Sequence, residues 1–212
     1  MRKNKIPIPH AINIMKGKKY IKQIALTYDA GEYTNDTILN VLQNHNIKST
    51  FFLTGQFVEK HPNLAQRLVK DGHEIGNHSY SHPDFSKLSR EDVINEISMC
   101  EKAIKEITGE NCRPIFRPPY GSFTIKTLKY IGEAGYRYNI SWSLDTLDWK
   151  NPPVNELTER ILNNVRNGDI VLLHLDGLST ASASDIVIPI LKSKGFDLVT
   201  VSQLLRLSDR NF

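Results

Sequence analysis

Strand-length apolar runs alternate with helical patterns along almost the whole chain, and this alternation constrains the fold more than any other feature. Residues 21–28, 49–53, 73–77, 115–116, 136–142, 170–174 and 196–201 read as strands. Between them, residues 36–46, 62–71, 89–108, 124–134, 155–167 and 185–194 carry the apolar period of about 3.6 that belongs to helices. The punctuation agrees. Pro62 stands early in its helix and Gly72 just past its end. Ser89 and Asp92 have the spacing of a capping box, and Gly109 closes that helix. A β-α repeat of apolar strands implies a parallel sheet covered on both faces. About seven such strands in 212 residues predict an α/β fold, a distorted (β/α) barrel rather than an open doubly wound sheet. No G-x-G-x-x-G follows the first strand, which argues against a dinucleotide fold. Residues 21–212 are expected to form one catalytic domain, with residues 1–20 as an N-terminal extension packing on it or leading into it.

Hydrophobic residues make up 40% of the chain, enough for a sizeable core. A net charge of +4 is mild, and the one short basic cluster, Lys16, Lys18 and Lys19, reads as solvated surface. With no basic stripe interleaved with aromatics, nucleic acid is not an expected partner. No apolar run approaches the roughly 18 residues of a membrane span. The first ten residues are basic but lack the apolar stretch of a signal peptide. Cys100 and Cys112 lack a metal-type spacing and do not make a disulfide framework, so ordinary packing or free thiols are expected.

In a β/α barrel the functional side chains gather at the C-terminal ends of the strands. Here those ends carry Asp29, His78 and His82, Arg117, Asp145 and Asp148, and His174. Each has an ordinary structural reading on its own, but five strands delivering ionisable groups to one rim make a site. If the segment after the third strand turns helically, His78 and His82 share one face and can grip one divalent cation. Hydrolysis of an amide or ester needs a base, an activated water, a stabilised oxyanion and a protonated leaving group. A bound metal helps by acidifying the water and polarising the carbonyl. A base kept ionised by a neighbouring cation and an acid kept protonated by a neighbouring carboxylate would complete such a site. As rim residues, Asp29 and His174 are expected to carry little of the core, so substituting either should leave folding nearly unaffected.

The ordered set TYDAG (27–31), HSYSH (78–82), RPPYG (117–121), DTLDW (145–149) and LLH (172–174) resembles the five motifs of the polysaccharide deacetylases of carbohydrate esterase family 4, the NodB type. The resemblance runs from about residue 22 to 205, including the TFFLTG and GHEIGNHS segments. It implies hydrolytic removal of acetyl groups from a polysaccharide, with N-acetylglucosamine-type residues of peptidoglycan or chitin-like glycans as the leading substrate and O-acetylated xylan as the alternative. It implies Asp29 as general base, His174 as general acid, Arg117 as the partner of the base and Asp148 as the partner of the acid. Tyr120 would supply an oxyanion-binding backbone N–H, Trp149 and Leu172 would wall the acetyl pocket, and His78 and His82 would bind the metal. The cation expected is Zn2+, with Co2+, Ni2+ or Mn2+ as substitutes. An acetylated glycan is the expected partner, a monomer the expected state, and an extracytoplasmic or cell-wall location the expected place, with a cytoplasmic one left open.

One position breaks the pattern. The family's first motif usually carries two adjacent aspartates, the second a metal ligand, and here that second position is Ala30. Three readings follow. The cation is held by His78, His82 and waters; or Glu32, two residues on past Gly31, steps in; or the protein is a catalytically silent sugar-binding barrel. Retention of Asp29, Arg117, Asp148 and His174 argues against the last.

Overall fold

The computed structural model describes residues 10–30 and 36–207. Eight strands form one hydrogen-bonded path: β1 (Ile12–Ile14), β6 (Tyr138–Ile140), β5 (Ile115–Phe116), β4 (Glu74–Asn77), β3 (Thr50–Leu53), β2 (Gln23–Asp29), β8 (Ile170–His174) and β7 (Leu144–Asp145). A ninth, β9 (Asp197–Leu198), pairs with the first two residues of β2, and every strand pairing is parallel. The sheet curls into a half-barrel whose free edges are β1 and β7. Short contacts tie the chain just after β1 to the start of β8 across the gap. The Gly17 N–H donates to Gly168 O at 2.7 Å, and Lys16 pairs with the buried Asp169 at 2.7 Å. Lys16 is therefore a seam residue rather than part of a solvated cluster, which corrects the reading of that basic run.

The period of two along the strands separates two apolar layers. On β2, Ile24, Leu26 and Tyr28 join the larger layer beneath the outer helices, and Tyr28 OH lies 3.2 Å from Ser184 Oγ of α7 (Thr180–Ser193). Ala25 joins a smaller layer inside the curl with Phe52, Ile115, Tyr138, Ile140 and Ile170. That inner layer is closed at the strand starts by α8 (Val201–Leu205), which buries Val201 and Leu204 there. The Val201 N–H donates to Thr50 Oγ1 at 2.8 Å and the Ser202 N–H to Glu74 Oε2 at 3.2 Å, tying α8 to the first residues of β3 and β4. The strand starts are plugged, and the C-terminal ends open to a cavity.

The outer helices are α1 (Thr37–Asn44), α2 (Gly55–Lys60), α3 (Pro62–Lys70), α4 (Arg90–Thr108), α5 (Ile125–Glu133), α6 (Val154–Asn164) and α7. The sequence pattern missed β1, β7 and α2, began α7 five residues late and missed α8, taking only its first residue, Val201, as the end of a strand. All four short elements lie below the length at which periodicity separates helix from strand. Ser89 does cap α4, accepting the Asp92 N–H at 3.2 Å, but its hydroxyl donates to the Asp92 carboxylate. Asp is too short to reach back to the cap's own N–H as Glu does. Cys100 and Cys112 are free and fully buried.

Candidate active site

Asp29 and His174 are the last residues of β2 and β8, and the two strands pair so that Asp29 stands opposite His174. Separated by most of the sequence, the two become immediate neighbours across one sheet edge. Position 29 points into the curl with Ala25 and Thr27, toward Arg117 beyond the end of β5.

Arg117 is fully buried, an expensive place for a guanidinium. Its Nε donates to Ile140 O at 3.0 Å, and its Nη1 donates both to Thr27 Oγ1 at 3.0 Å and to Asp29 Oδ1 at 2.5 Å. The guanidinium carbon stands 4.0 Å from the Phe52 ring centroid, so the π face supplies part of the missing solvation. Phe52 fits because β4 has Gly76 beside it: a Cβ there would lie 2.5 Å from the ring. Burial alone would raise the Asp29 pKa, but the charge of Arg117, with His78 and His174 behind it, holds this carboxyl below its ordinary value. Asp29 and Arg117 thus form a buried ion pair inside the barrel, so the reading of Asp29 as a rim residue outside the packed interior is corrected.

His78 and His82 meet, with ring centroids 4.9 Å apart and planes at 70°. The connection is not a helical turn, which corrects the spacing argument. Ser79 and His82 both take left-handed backbone conformations, with φ of 71° and 62°. Side chains hold this turn. Asn77 Oδ1 accepts the Ser79 N–H at 2.9 Å, and Ser79 Oγ accepts the His82 N–H at 3.1 Å. Glu96 of α4 accepts the N–H groups of Tyr80 and Ser81 at 2.9 and 2.8 Å. The first N–H groups of α2 donate to the carbonyls of Ser79 and Tyr80. Burial pushes the His78 pKa down to about 4 and lowers that of His82, so both imidazoles are neutral, the form that binds metals. His78 Nδ1 lies 2.7 Å from Arg117 O; an Nδ1–H donating there leaves Nε2 with its lone pair, 3.6 Å from Asp29 Oδ2.

These two imidazoles fit a divalent cation, and the set stops there. Among the described residues no group of three His, Cys, Asp or Glu side chains is placed to hold a metal. Ala30 is buried, its N–H donating to Phe52 O at 2.9 Å. Glu32 lies outside the described residues.

The His174 side of the site is complete. Asp148 is fully buried; its Oδ1 accepts from His174 Nδ1 at 2.8 Å and its Oδ2 accepts the His174 backbone N–H at 2.7 Å. Burial would lower the His174 pKa, but the hydrogen bond and charge of Asp148, helped by Asp29 and Asp176, raise it above the ordinary value. The Nδ1 contact turns Nε2 away from Asp148, leaving it to serve the cavity.

That cavity has a volume of about 750 Å3 and brings Asp29, His78, His82, Tyr120, Trp149, Leu172 and His174 together on one wall system. Ala30 lines it too. Arg117 and Asp148 stand behind the lining residues they contact. Tyr120 has a left-handed backbone (φ 59°), and its ring packs on His82 with centroids 4.6 Å apart. Asp145 and Trp142 also line the cavity. Sequence reasoning missed Asp176, although it sits two residues after His174 in the same motif segment. It also missed Gln56 and Lys60 of α2, and a helix too short to read gave no signal for them.

A barrel rim holding a cation-bound carboxylate, a carboxylate-bound imidazole and two neutral histidines defines a hydrolase site of the metal-assisted kind. Comparison with known proteins narrows the class. The model of the polysaccharide deacetylase family matches residues 16–139. The peptidoglycan-N-acetylglucosamine deacetylase of Bacillus cereus is 37% identical over 195 residues, 88% of this chain and 69% of that protein. In three dimensions the chain superposes on the Bc1960 peptidoglycan N-acetylglucosamine deacetylase with a TM-score of 0.87 and 35% identity, covering 93% of this chain and 94% of that one. It also superposes on BA3943 of Bacillus anthracis, described as a CE4 family pseudoenzyme, with a TM-score of 0.85 and 32% identity over 91% of this chain and 68% of that one. A mutant of BA3943 is described as having restored enzymatic activity. The chain belongs to the polysaccharide deacetylase family, carbohydrate esterase family 4, whose members are in general divalent-metal-dependent hydrolases.

Proposed function

We propose that this chain hydrolyses the N-acetyl group of N-acetylglucosamine-type residues in a cell-wall glycan, outside the cytoplasm, with a divalent metal, Zn2+ in first place. The observation that carries the reading is the pairing of Asp29 and His174 at matched strand ends, one stabilised as a base by Arg117 and the other as an acid by Asp148. Neighbouring groups with protonation pushed in opposite directions are what general acid–base hydrolysis requires.

Asp29 takes a proton from water as its oxygen attacks the acetyl carbonyl carbon. The tetrahedral oxyanion accepts a hydrogen bond from the Tyr120 backbone N–H. The C–N bond then breaks and His174 protonates the departing sugar nitrogen, giving acetate and a free amine. Leu172 and Trp149 wall the acetyl group. A cation bound by His78 and His82 would polarise the carbonyl and make the water more acidic.

Ala30 and the likeness to BA3943 favour a second reading, a glycan-binding barrel without turnover. One assay separates the two: acetate release from peptidoglycan, chitooligosaccharides and acetylated xylan, with and without chelator. Chelator-sensitive release from peptidoglycan or the chitooligosaccharides is the expected result, and release from acetylated xylan alone would move the reading to an O-acetyl esterase. Binding of a glycan with no acetate released from any substrate, metal supplied, would establish the silent barrel.

A further inference from the structure

Asp148 poses a problem of charge. It is fully buried, and no Lys or Arg side chain pairs with it among the described residues. Its counterpart Asp29 has Arg117; Asp148 has only donors. Two of them come from His174 itself, and the third is the hydroxyl of Thr180, which donates to Oδ2 at 2.7 Å. Thr180 is the first residue of α7 and is buried. Its reach depends on the tight segment before it, where the Thr180 N–H donates to Gly177 O. A Cβ on Gly177 would stand 2.2 Å from Thr180 Oγ1 and 3.0 Å from Asp148 Oδ2, so a side chain there would force the contact apart. The hydroxyl is not needed by the helix: Ser179, the N-cap, makes no side-chain cap bond, and its own hydroxyl donates to Pro152 O.

Oδ2 therefore carries two donors, the His174 N–H and Thr180 Oγ1, and a third would crowd it. That leaves Oδ1 facing the imidazole. We infer that Thr180 is a positioning residue for the proposed acid: it locks the Asp148 carboxylate in one rotamer, which fixes His174 as the Nδ1–H tautomer with Nε2 turned to the cavity. Without the hydroxyl, Oδ2 is half-satisfied in a buried site, and the carboxylate rotates to share its oxygens differently. The helix N-terminus at Thr180 adds a favourable field for the charge but does not select an oxygen. The inference rests on the acid role proposed for His174, and its test separates the two.

The variants are Thr180→Val, which keeps the shape and removes the donor, and Thr180→Ser, which restores it. Two readouts apply to the full chain. The first is the 15N NMR pattern of His174 at a pH where the ring is neutral: the parent and Thr180→Ser should show the Nδ1–H tautomer, and Thr180→Val a mixture of both. The second is steady-state acetate release: Thr180→Val should lower kcat about tenfold, the scale of one hydrogen bond to a charged group, with KM unchanged. Should Thr180→Val fail to fold, Thr180→Ala, which suits a helix start, is read in its place. An unaltered tautomer pattern in the folded donor-free variant overturns the inference. If the parent releases no acetate from any glycan, the proposed function fails while the tautomer measurement still decides the role of Thr180.

Discussion

The site has two halves built to different standards. On one side Asp29, Arg117, Asp148 and His174 form two closed pairs, each buried partner bound at 2.5 to 2.8 Å. On the other, His78 and His82 stand 4.9 Å apart with a methyl group at position 30, and no third ligand among the described residues. The acid–base half is expensive to bury, and each charged group in it has a partner, although Arg117 Nη2 makes no hydrogen bond. The metal half costs little to leave incomplete, because neutral imidazoles tolerate burial without a partner charge. Loss of one ligand can therefore persist in a stable fold, whereas loss of Asp29 leaves the buried guanidinium of Arg117 without a counter-charge.

The largest effects should come from breaking the closed pairs. Asp29→Asn and His174→Ala should each lower kcat roughly 10²–10⁴-fold, the usual scale of general acid–base catalysis. Their stabilities should differ. Asp29→Asn strands the Arg117 guanidinium without a counter-charge and should cost about 3 kcal/mol, at the lower end for removing one partner of a buried pair because Asn still accepts a hydrogen bond. His174 is partly exposed and its loss leaves Asp148 with the backbone N–H and Thr180, so unfolding of His174→Ala should need nearly as much denaturant as the parent. Equal denaturation midpoints for the two variants would remove the distinction between a pair that supports the fold and one that only tunes chemistry.

Much of this was legible in the sequence because strand-end positions are a property of local pattern. Asp29, Arg117 and His174 each follow a run that reads as a strand, and a barrel puts all such ends on one rim. Adjacency was not legible: that β2 pairs with β8 follows from how the sheet curls, and nothing within either segment states it. The His78–His82 turn shows a different limit. Spacing alone suggested a helix, while the real turn depends on Glu96 from α4 and on two left-handed residues, contacts made across the fold. Thr180 was invisible for a similar reason, since it lies in a stretch ahead of the apolar period by which α7 was recognised. Burial was misjudged too. A polar residue at a strand end looks solvent-facing, and only packing shows that Arg117 lies beneath the rim against Phe52.

An intermediate effect is expected on restoring the missing carboxylate. Ala30 lines the cavity that both histidines line, so Ala30→Asp should supply a third ligand and tighten binding more than tenfold, a gain above 1.4 kcal/mol. Competition against a chromophoric chelator measures this. If Glu32 already completes the site, Ala30→Asp should change the affinity little and Glu32→Gln should weaken it clearly. Tight binding in the parent that neither substitution alters would show that the metal half is closed by a residue outside these motifs, and the contrast between the halves would fall.

The smallest effect concerns the tuning of the acid half. His174 must carry a proton to serve as acid, so turnover declines as pH rises through its pKa. The charge and hydrogen bond of Asp148 raise that pKa against the opposing effect of burial, which places the alkaline limb of the pH–rate profile at higher pH than an ordinary imidazole would give. Asp148→Asn keeps one oxygen for the imidazole N–H, places its NH2 where Thr180 Oγ1 can accept, and removes the charge. The limb should then move to lower pH, because the ring loses the charge that favours its protonated form. Asp29 and Asp176 still face His174 in the variant, and the remaining negative charge keeps the shift from being larger. A profile of kcat over the alkaline range, parent against variant, reads the displacement directly. If the limb stays in place while the rate drops, Asp148 acts on orientation alone, and Asp29 and Asp176 supply the charge that holds the proton.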